Sequence, residues 1–251
     1  MTASIESSDL RGRAVLITGG ARRVGAALVR ALHAAGANVL VHYRSSSGAA
    51  IALAEELNGL RANSIVTHGA DLLEASAPDE LLAATLSAFG CLDLLINNAS
   101  TFYPTPIGTI TNAQWDDLIG SNFKAPLFLS QAAAPSLRAS RGLIINIIDV
   151  HGLRPLKGHP VYSAAKAGLA MLTRSLAREL GPEIRVNGIA PGPVLWPEKN
   201  IDESLKKEII DKTALKRYGT PQDIARTVLF LAKDAPYVTG QIIAVDGGRS
   251  I

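Results

Sequence analysis

Short runs rich in Val, Ile and Leu recur along this chain at 14–18, 38–43, 64–68, 92–97, 142–148, 184–189 and 241–245. Between them lie Ala- and Leu-rich stretches with helical spacing at 22–35, 48–58, 78–89, 113–138, 160–180 and 221–233. No other feature restricts the fold as much. A strand that is apolar at consecutive positions has both of its faces covered, and regular alternation of such strands with helices predicts a parallel sheet flanked by helices. The expected class is therefore α/β, a doubly wound parallel sheet of about seven strands with helices on both faces. At 251 residues and 47% apolar content the chain is long enough for one large domain with a substantial core. No Pro-, Gly- or Ser-rich linker divides it, and no short-period repeat is present. A single domain over 1–251 is expected.

One segment breaks the alternation. From 191 to about 213 the chain is Pro-rich, then charged and amphipathic, and it follows the sixth strand. Ligands in open parallel sheets bind beyond the carboxyl ends of the strands, so this segment is a candidate lid.

Charge excludes some classes of partner. The formal net charge is +3, but the basic residues are dispersed among 22 acids and form no long run, so nucleic-acid binding is not expected. Cys91 is the one cysteine, which rules out an intrachain disulfide and a cysteine-built metal site and fits a reducing compartment. The first residues carry no basic segment followed by an apolar core, and no apolar run approaches ~20 residues. A soluble cytoplasmic protein with no membrane partner is expected.

The chemistry-bearing residues cluster late in the chain. Tyr162 and Lys166 are four apart in the predicted helix 160–180, and residues at that spacing share a helix face. An ammonium beneath a phenol stabilises the ionised form, so Lys166 is expected to bring Tyr162 toward operating pH as a general acid or base. Asp149 lies upstream of this pair, just after the apolar run 142–148.

Earlier strand ends carry a second set of signals. The first strand runs into Thr-Gly-Gly-Ala-Arg-Arg-Val-Gly, from Thr18 to Gly25, and then into an Ala-rich helix. Such a turn delivers a helix N-terminus whose backbone N–H groups favour phosphate. The second strand ends in Val41, His42, Tyr43, Arg44 and Ser45, with no carboxylate of the kind that reads unphosphorylated ribose hydroxyls. Arg44 supplies a planar fork of donors and Ser45 a hydroxyl, a pair suited to a 2′-phosphate and hence to NADP(H). Asp71, after the third strand, could bond an adenine amino group or cap a helix. Asn97, Asn98, Ala99 and Ser100 end the fourth strand, with small side chains that let a ribose approach the backbone.

Assembled in order, Thr18 and Gly19 to Gly25, Asp71, Asn97 to Ala99, Asn122, Tyr162 with Lys166, Pro191 with Gly192, and the closing run from Gly240 to Gly248 resemble the short-chain dehydrogenase/reductase family over nearly the whole chain. The resemblance implies a Rossmann-type sheet. Two departures are informative: Arg23 replaces a usual glycine and Asp149 a usual serine. An ionised aspartate cannot donate to a ketone oxygen, whereas a carboxyl group suits a substrate with ring nitrogens. Both changes, with the run from Asn98 to Pro104 and that from His42 to Ser45, look like the pteridine reductases of this family.

That resemblance implies a cofactor site for NADPH/NADP+ built from Gly19, Arg22, Arg23, Val24 and Gly25; His42, Tyr43, Arg44 and Ser45; Asp71 and Leu72; Asn98, Ala99 and Ser100; Tyr162 and Lys166; and Pro191, Gly192 and Val194. It implies a pterin substrate held by Arg23, Ser100, Phe102, Asp149, Tyr162 and Trp196, with Phe102 stacked on the ring. Asp149, Tyr162, Lys166 and Asn122 form the implied catalytic set. Lys166 would bind the nicotinamide ribose, and Asn122, inside the helix 113–138, would hold a backbone carbonyl and water. A homotetramer through 113–138, 160–180 and the last strand is likewise implied. Dihydrobiopterin, dihydromonapterin and dihydrofolate present the same ring, so the choice among them stays open.

Two other readings stand beside this one: an NADPH reductase of the same fold acting on a ketone, quinone or acyl-carrier thioester, and a noncatalytic NADP(H)-binding module. No metal is expected, because His151, His159 and one acid at irregular spacing lack a thiolate partner. His33 is read as a surface or partly packed residue, and Trp115 as packed in or beside its helix.

Overall fold

The computed structural model describes residues 9–194 and 202–251. Its strands are β1 (Ala14–Ile17), β2 (Asn38–Tyr43), β3 (Ile65–Gly69), β4 (Leu94–Asn97), β5 (Leu143–Ile147), β6 (Arg185–Pro191) and β7 (Ile242–Val245). They form one seven-stranded sheet in the order β3-β2-β1-β4-β5-β6-β7, and each neighbouring pair is parallel. The expected α/β class is what the chain adopts.

Alternation within each strand explains the two layers. Val15, Ile17, Val39 and Val41 point to one face, where they pack with Leu28 and Leu32 of α1 (Arg23–Ala34), Leu53 and Leu57 of α2 (Ser47–Leu60), and Ile224, Val228 and Leu231 of α8 (Pro221–Lys233). Leu16, Leu40, Leu95 and Ile144 point to the other, against Leu81 of α3 (Ala77–Phe89) and Leu129 and Leu137 of α5 (Ala125–Ser140). α6 (Pro160–Glu179) closes that second face, with Leu176 packed on the same cluster. A sheet buried on both sides reads as continuous apolar runs, which is why the strands were visible in the sequence.

The helix expected over 113–138 is interrupted. It divides into α4 (Asn112–Ile119), a π turn over Gly120–Lys124, and α5. Pro126, in the first turn of α5, has no N–H to give the preceding turn, and the Asn122 side chain, within the π turn, donates to the carbonyl of Leu118 at 3.0 Å. Of the 191–213 segment, β6 runs on through Pro191 and α7 (Glu203–Asp211) begins beyond a stretch outside the described residues; Trp196 lies in that stretch.

Two further expectations are corrected by packing. His33 is 5% exposed, its Nε2 lying 2.9 Å from the Ser64 hydroxyl under α1. Trp115 is half-exposed. A buried polar chain ties α6 to the sheet: Asn97 donates to Asn146 at 2.8 Å, and Asn146 donates to Thr173 at 2.9 Å. All three are buried, so these bonds are strengthened by the surrounding low dielectric and fix α6 in register with the ends of β4 and β5. No helix among the described residues is long and apolar enough to cross a membrane.

Candidate active site

The strand order reverses between β1 and β4, and the connections that leave their carboxyl ends in opposite directions open a crevice there. A cavity of about 510 Å³ occupies it. Its wall gathers Gly19 and Arg22 to Gly25 of the glycine turn and the start of α1, His42 to Ser45 at the end of β2, Asp71 and Leu72, Asn98 to Ser100, Asp149, Tyr162, Lys166, and Pro191, Gly192 and Val194. Residues spread from position 19 to position 194 thus converge on one surface.

The glycine turn is held from below. Thr18 Oγ1 accepts the backbone N–H groups of Asn98 and Ala99 at 2.9 and 3.0 Å, and Asn98 Nδ2 donates to the carbonyls of Thr18 and Gly19, each at 2.9 Å. A Cβ on Gly25 would lie 2.2 Å from the Gly19 carbonyl oxygen, so only glycine admits this approach of helix to turn. Arg23 adopts φ 54°, a left-handed conformation that costs an L-residue roughly 1–2 kcal/mol. The backbone therefore keeps the geometry of the glycine that is usual there, while the side chain adds a guanidinium at the cavity wall.

The Tyr162 side chain turns toward Asp149. Its phenol donates to Asp149 Oδ2 at 2.8 Å, and the other carboxylate oxygen accepts the His151 backbone N–H at 2.8 Å, capping the short turn Val150–Gly152. Burial raises the Tyr162 pKa well above the usual tyrosine value, the Asp149 charge and its hydrogen bond raise it further, and the Ser100 hydroxyl works weakly the other way. Lys166 was expected to bring the phenol down. Instead its ammonium lies 5.8 Å from the ring centroid and donates at 2.9 Å to the Ile147 carbonyl. Burial pulls Lys166 down to about 8, opposed by the charge of Asp149. Tyr162 is thus a protonated donor at neutral pH.

Asn122 stands one layer behind the wall. Its Oδ1 accepts the Ser100 hydroxyl at 2.6 Å, and its Nδ2 donates to the carbonyls of Thr101 and Leu118 at 2.9 and 3.0 Å. It orients Ser100. These bonds tie the π turn to the loop that carries Ser100 and Thr101.

Phe102, expected to stack on a substrate ring, is 55% exposed and lies outside the residues that form the cavity wall, against Tyr162. One face of its ring is covered by the His159 imidazole, with centroids 4.7 Å apart and planes 8° from parallel, and its edge meets Tyr162 at 4.8 Å. A planar substrate has only the other face to stack on. The His159 contact was missed in the sequence because fifty-six residues of chain lie between the two and no spacing rule relates them. Tyr103, next in sequence, donates to Asp117 Oδ2 at 3.0 Å, and Arg44 is 3.8 Å from the other oxygen of that carboxylate. Asp71 accepts the Leu73 N–H at 3.0 Å while facing the cavity, so it serves as a local turn cap.

The donor set fits a dinucleotide. Arg22, at the N-cap of α1, makes no side-chain cap bond and leaves the first-turn N–H groups to the cavity. Lys166 is 2% exposed with one hydrogen bond among the described residues, leaving N–H donors for a ribose hydroxyl. A parallel sheet with this turn, a protonated tyrosine and a buried lysine at its switch point defines a nicotinamide-dependent oxidoreductase.

The chain belongs to the short-chain dehydrogenase/reductase family. Residues 19–250 match a family model described as enoyl-(acyl carrier protein) reductase. The chain is similar to 3-oxoacyl-(acyl-carrier-protein) reductase of Staphylococcus aureus (strain Mu50), 36% identical over 240 residues covering 94% of this chain and 97% of the relative. It is also similar to pteridine reductase 1 of Leishmania tarentolae, 36% identical over 277 residues covering 94% and 96%. A solved structure of a Serratia marcescens short-chain dehydrogenase/reductase, a doubly substituted mutant, superposes with a TM-score of 0.91 at 32% identity, covering 97% of this chain and 100% of that one. The protein is an NAD(P)-dependent reductase of this family.

Proposed function

We propose that the protein is an NADPH-dependent pteridine reductase that converts dihydropterins to tetrahydropterins. The observation that carries this reading is the 2.8 Å hydrogen bond from Tyr162 to a carboxylate, Asp149, at the position usually held by serine. Ketone reduction develops negative charge on oxygen beside the tyrosine, and a carboxylate in a buried site opposes that charge. A pterin instead presents N–H groups for Asp149 to accept from, and a ring nitrogen that takes a proton. The bound cofactor supplies the hydride. Tyr162 donates the proton and regains one from solvent, relayed through the Asp149 carboxylate that orients it; Ser100 and Arg23 face the pterin edge, and Phe102 packs its uncovered face on the ring.

The relatives lean toward another reading, reduction of a 3-oxoacyl thioester: several bacterial proteins of that name are 35–36% identical to this chain. One spectrophotometric panel separates the two. NADPH oxidation is expected with dihydrobiopterin, dihydromonapterin or dihydrofolate and not with a quinone or a β-ketoacyl thioester; a response to the thioester alone reverses the assignment.

Cofactor choice follows from Arg44. Its loose 3.8 Å contact with Asp117, with both side chains partly exposed, is easily given up for a 2′-phosphate. Replacing Arg44 by Ala is expected to lower kcat/KM for NADPH about 10- to 100-fold, the scale of one charged hydrogen bond, while leaving NADH nearly unchanged. Equal losses with both cofactors would contradict this role.

A further inference from the structure

The His42 ring lies under the glycine turn, 1% exposed. Its Nδ1 accepts the Gly19 N–H at 3.1 Å, its Nε2 lies 3.0 Å from the Ala70 carbonyl oxygen, and its own backbone carbonyl accepts the Gly20 N–H at 2.9 Å. A donor at one ring nitrogen and an acceptor at the other are satisfied together by one state, the neutral imidazole with its proton on Nε2. The turn above has little freedom to compensate for losing that partner. Gly19 is at φ 61°, and a Cβ there would lie 2.9 Å from Ala99 Cα. The Gly19 and Gly20 N–H groups thus point down into β2 and away from any ligand, leaving ligand contact to the first turn of α1.

We propose that His42 is a positioning residue for the cofactor site: as the Nε2–H tautomer it bolts the turn from Thr18 to Arg23 onto the ends of β2 and β3, and so presets the N-terminus of α1 for the cofactor diphosphate. A second proton, on Nδ1, faces the Gly19 N–H donor to donor, and the turn loosens. The titratable groups that act on the ring are His68 and Asp71, from β3 and its continuation, while Arg22 and Arg23 of the turn and Arg44 just past β2 line the same cavity. Burial and His68 hold the His42 pKa below the ordinary histidine value, against the Ala70 carbonyl and Asp71. The ring is therefore neutral at physiological pH, and it takes its second proton only as pH falls below about 6.5. Acid favours the loosened turn.

This inference rests on the nicotinamide cofactor binding at the turn, and its tests do not depend on turnover. In the cofactor-free protein, nitrogen-15 NMR of the imidazole should show one protonated and one bare nitrogen, with Nε2 the protonated one. NADPH titrations followed by its fluorescence should give a Kd at least about tenfold higher for His42→Leu than for the parent at pH 7.5. His42→Asn keeps an acceptor near the Nδ1 position, so it should retain most of the affinity and lack the parent's extra weakening between pH 7 and 5. Far-UV circular dichroism establishes that each variant is folded, and if the Leu variant is not, the Asn variant and the tautomer measurement decide. A proton on Nδ1, or an Asn variant with the same pH profile as the parent, overturns the proposal. A parent that binds no NADPH at all removes the cofactor reading itself.

Discussion

Tyr162→Phe is expected to cut NADPH-dependent reduction by about 10²- to 10⁴-fold, the usual contribution of a positioned general acid, while NADPH affinity changes little. The ring stays, so its edge contact with Phe102 and the packing of α6 persist. What disappears is the hydroxyl that donates to Asp149 at 2.8 Å. Because that hydroxyl is held protonated by burial and by the neighbouring carboxylate, it already carries the proton to be donated at neutral pH. Single-turnover absorbance at 340 nm beside a fluorescence titration of NADPH measures both halves of the expectation. A variant with parental turnover would remove Tyr162 from the proton path.

The second large effect belongs to Asp149. Asp149→Ser is expected to lower dihydropterin reduction at least about 100-fold, because the substrate loses its acceptor and Tyr162 its partner. Serine still caps the turn Val150–Gly152 as an N-cap residue, so the fold cost stays within a few tenths of a kcal/mol. Asp149→Asn keeps the shape and removes the charge, and should show the same loss. If the thioester reading is correct, the outcome inverts: the serine variant reduces the β-ketoacyl thioester faster than the parent, since no carboxylate then opposes charge on the substrate oxygen. Steady-state rates on both substrates for the two variants separate these outcomes. Unchanged pterin turnover in Asp149→Ser would sink the pterin reading even if the parent passes the substrate panel.

Much of this was legible before any coordinates. The strands were visible because a parallel sheet is buried on both faces and writes continuous apolar runs into the chain. Most of the cavity wall was legible as well, because glycine turns and strand ends are local features: Gly19, Arg44, Asp71 and Asn98 fall where the strands run out, and Gly25 in the first turn of the helix that follows. The π turn was not, since Asn122 looks like any polar residue in a helical stretch until Ser100 and Thr101, some twenty residues away, are seen beside it. Nor was the burial of His33, which depends on Ser64, thirty-one residues away, arriving beside it.

The partner of Tyr162 shows the boundary most clearly. The four-residue spacing put Lys166 on the same helix face, and that much is a property of α-helix geometry, which any sequence carries in itself. Whether a second group comes closer is decided by where β5 ends relative to α6, and that depends on the buried Asn97, Asn146 and Thr173 bonds that set the two in register. They bring Asp149 within 2.8 Å of the phenol, and burial of that phenol, joined by the carboxylate, turns the tyrosine's pKa shift upward. The sequence alone determined which residues exist and which lie on one face of one element; the tertiary structure decided which charge the proton meets, because Coulomb interactions follow distance through space and not along the chain.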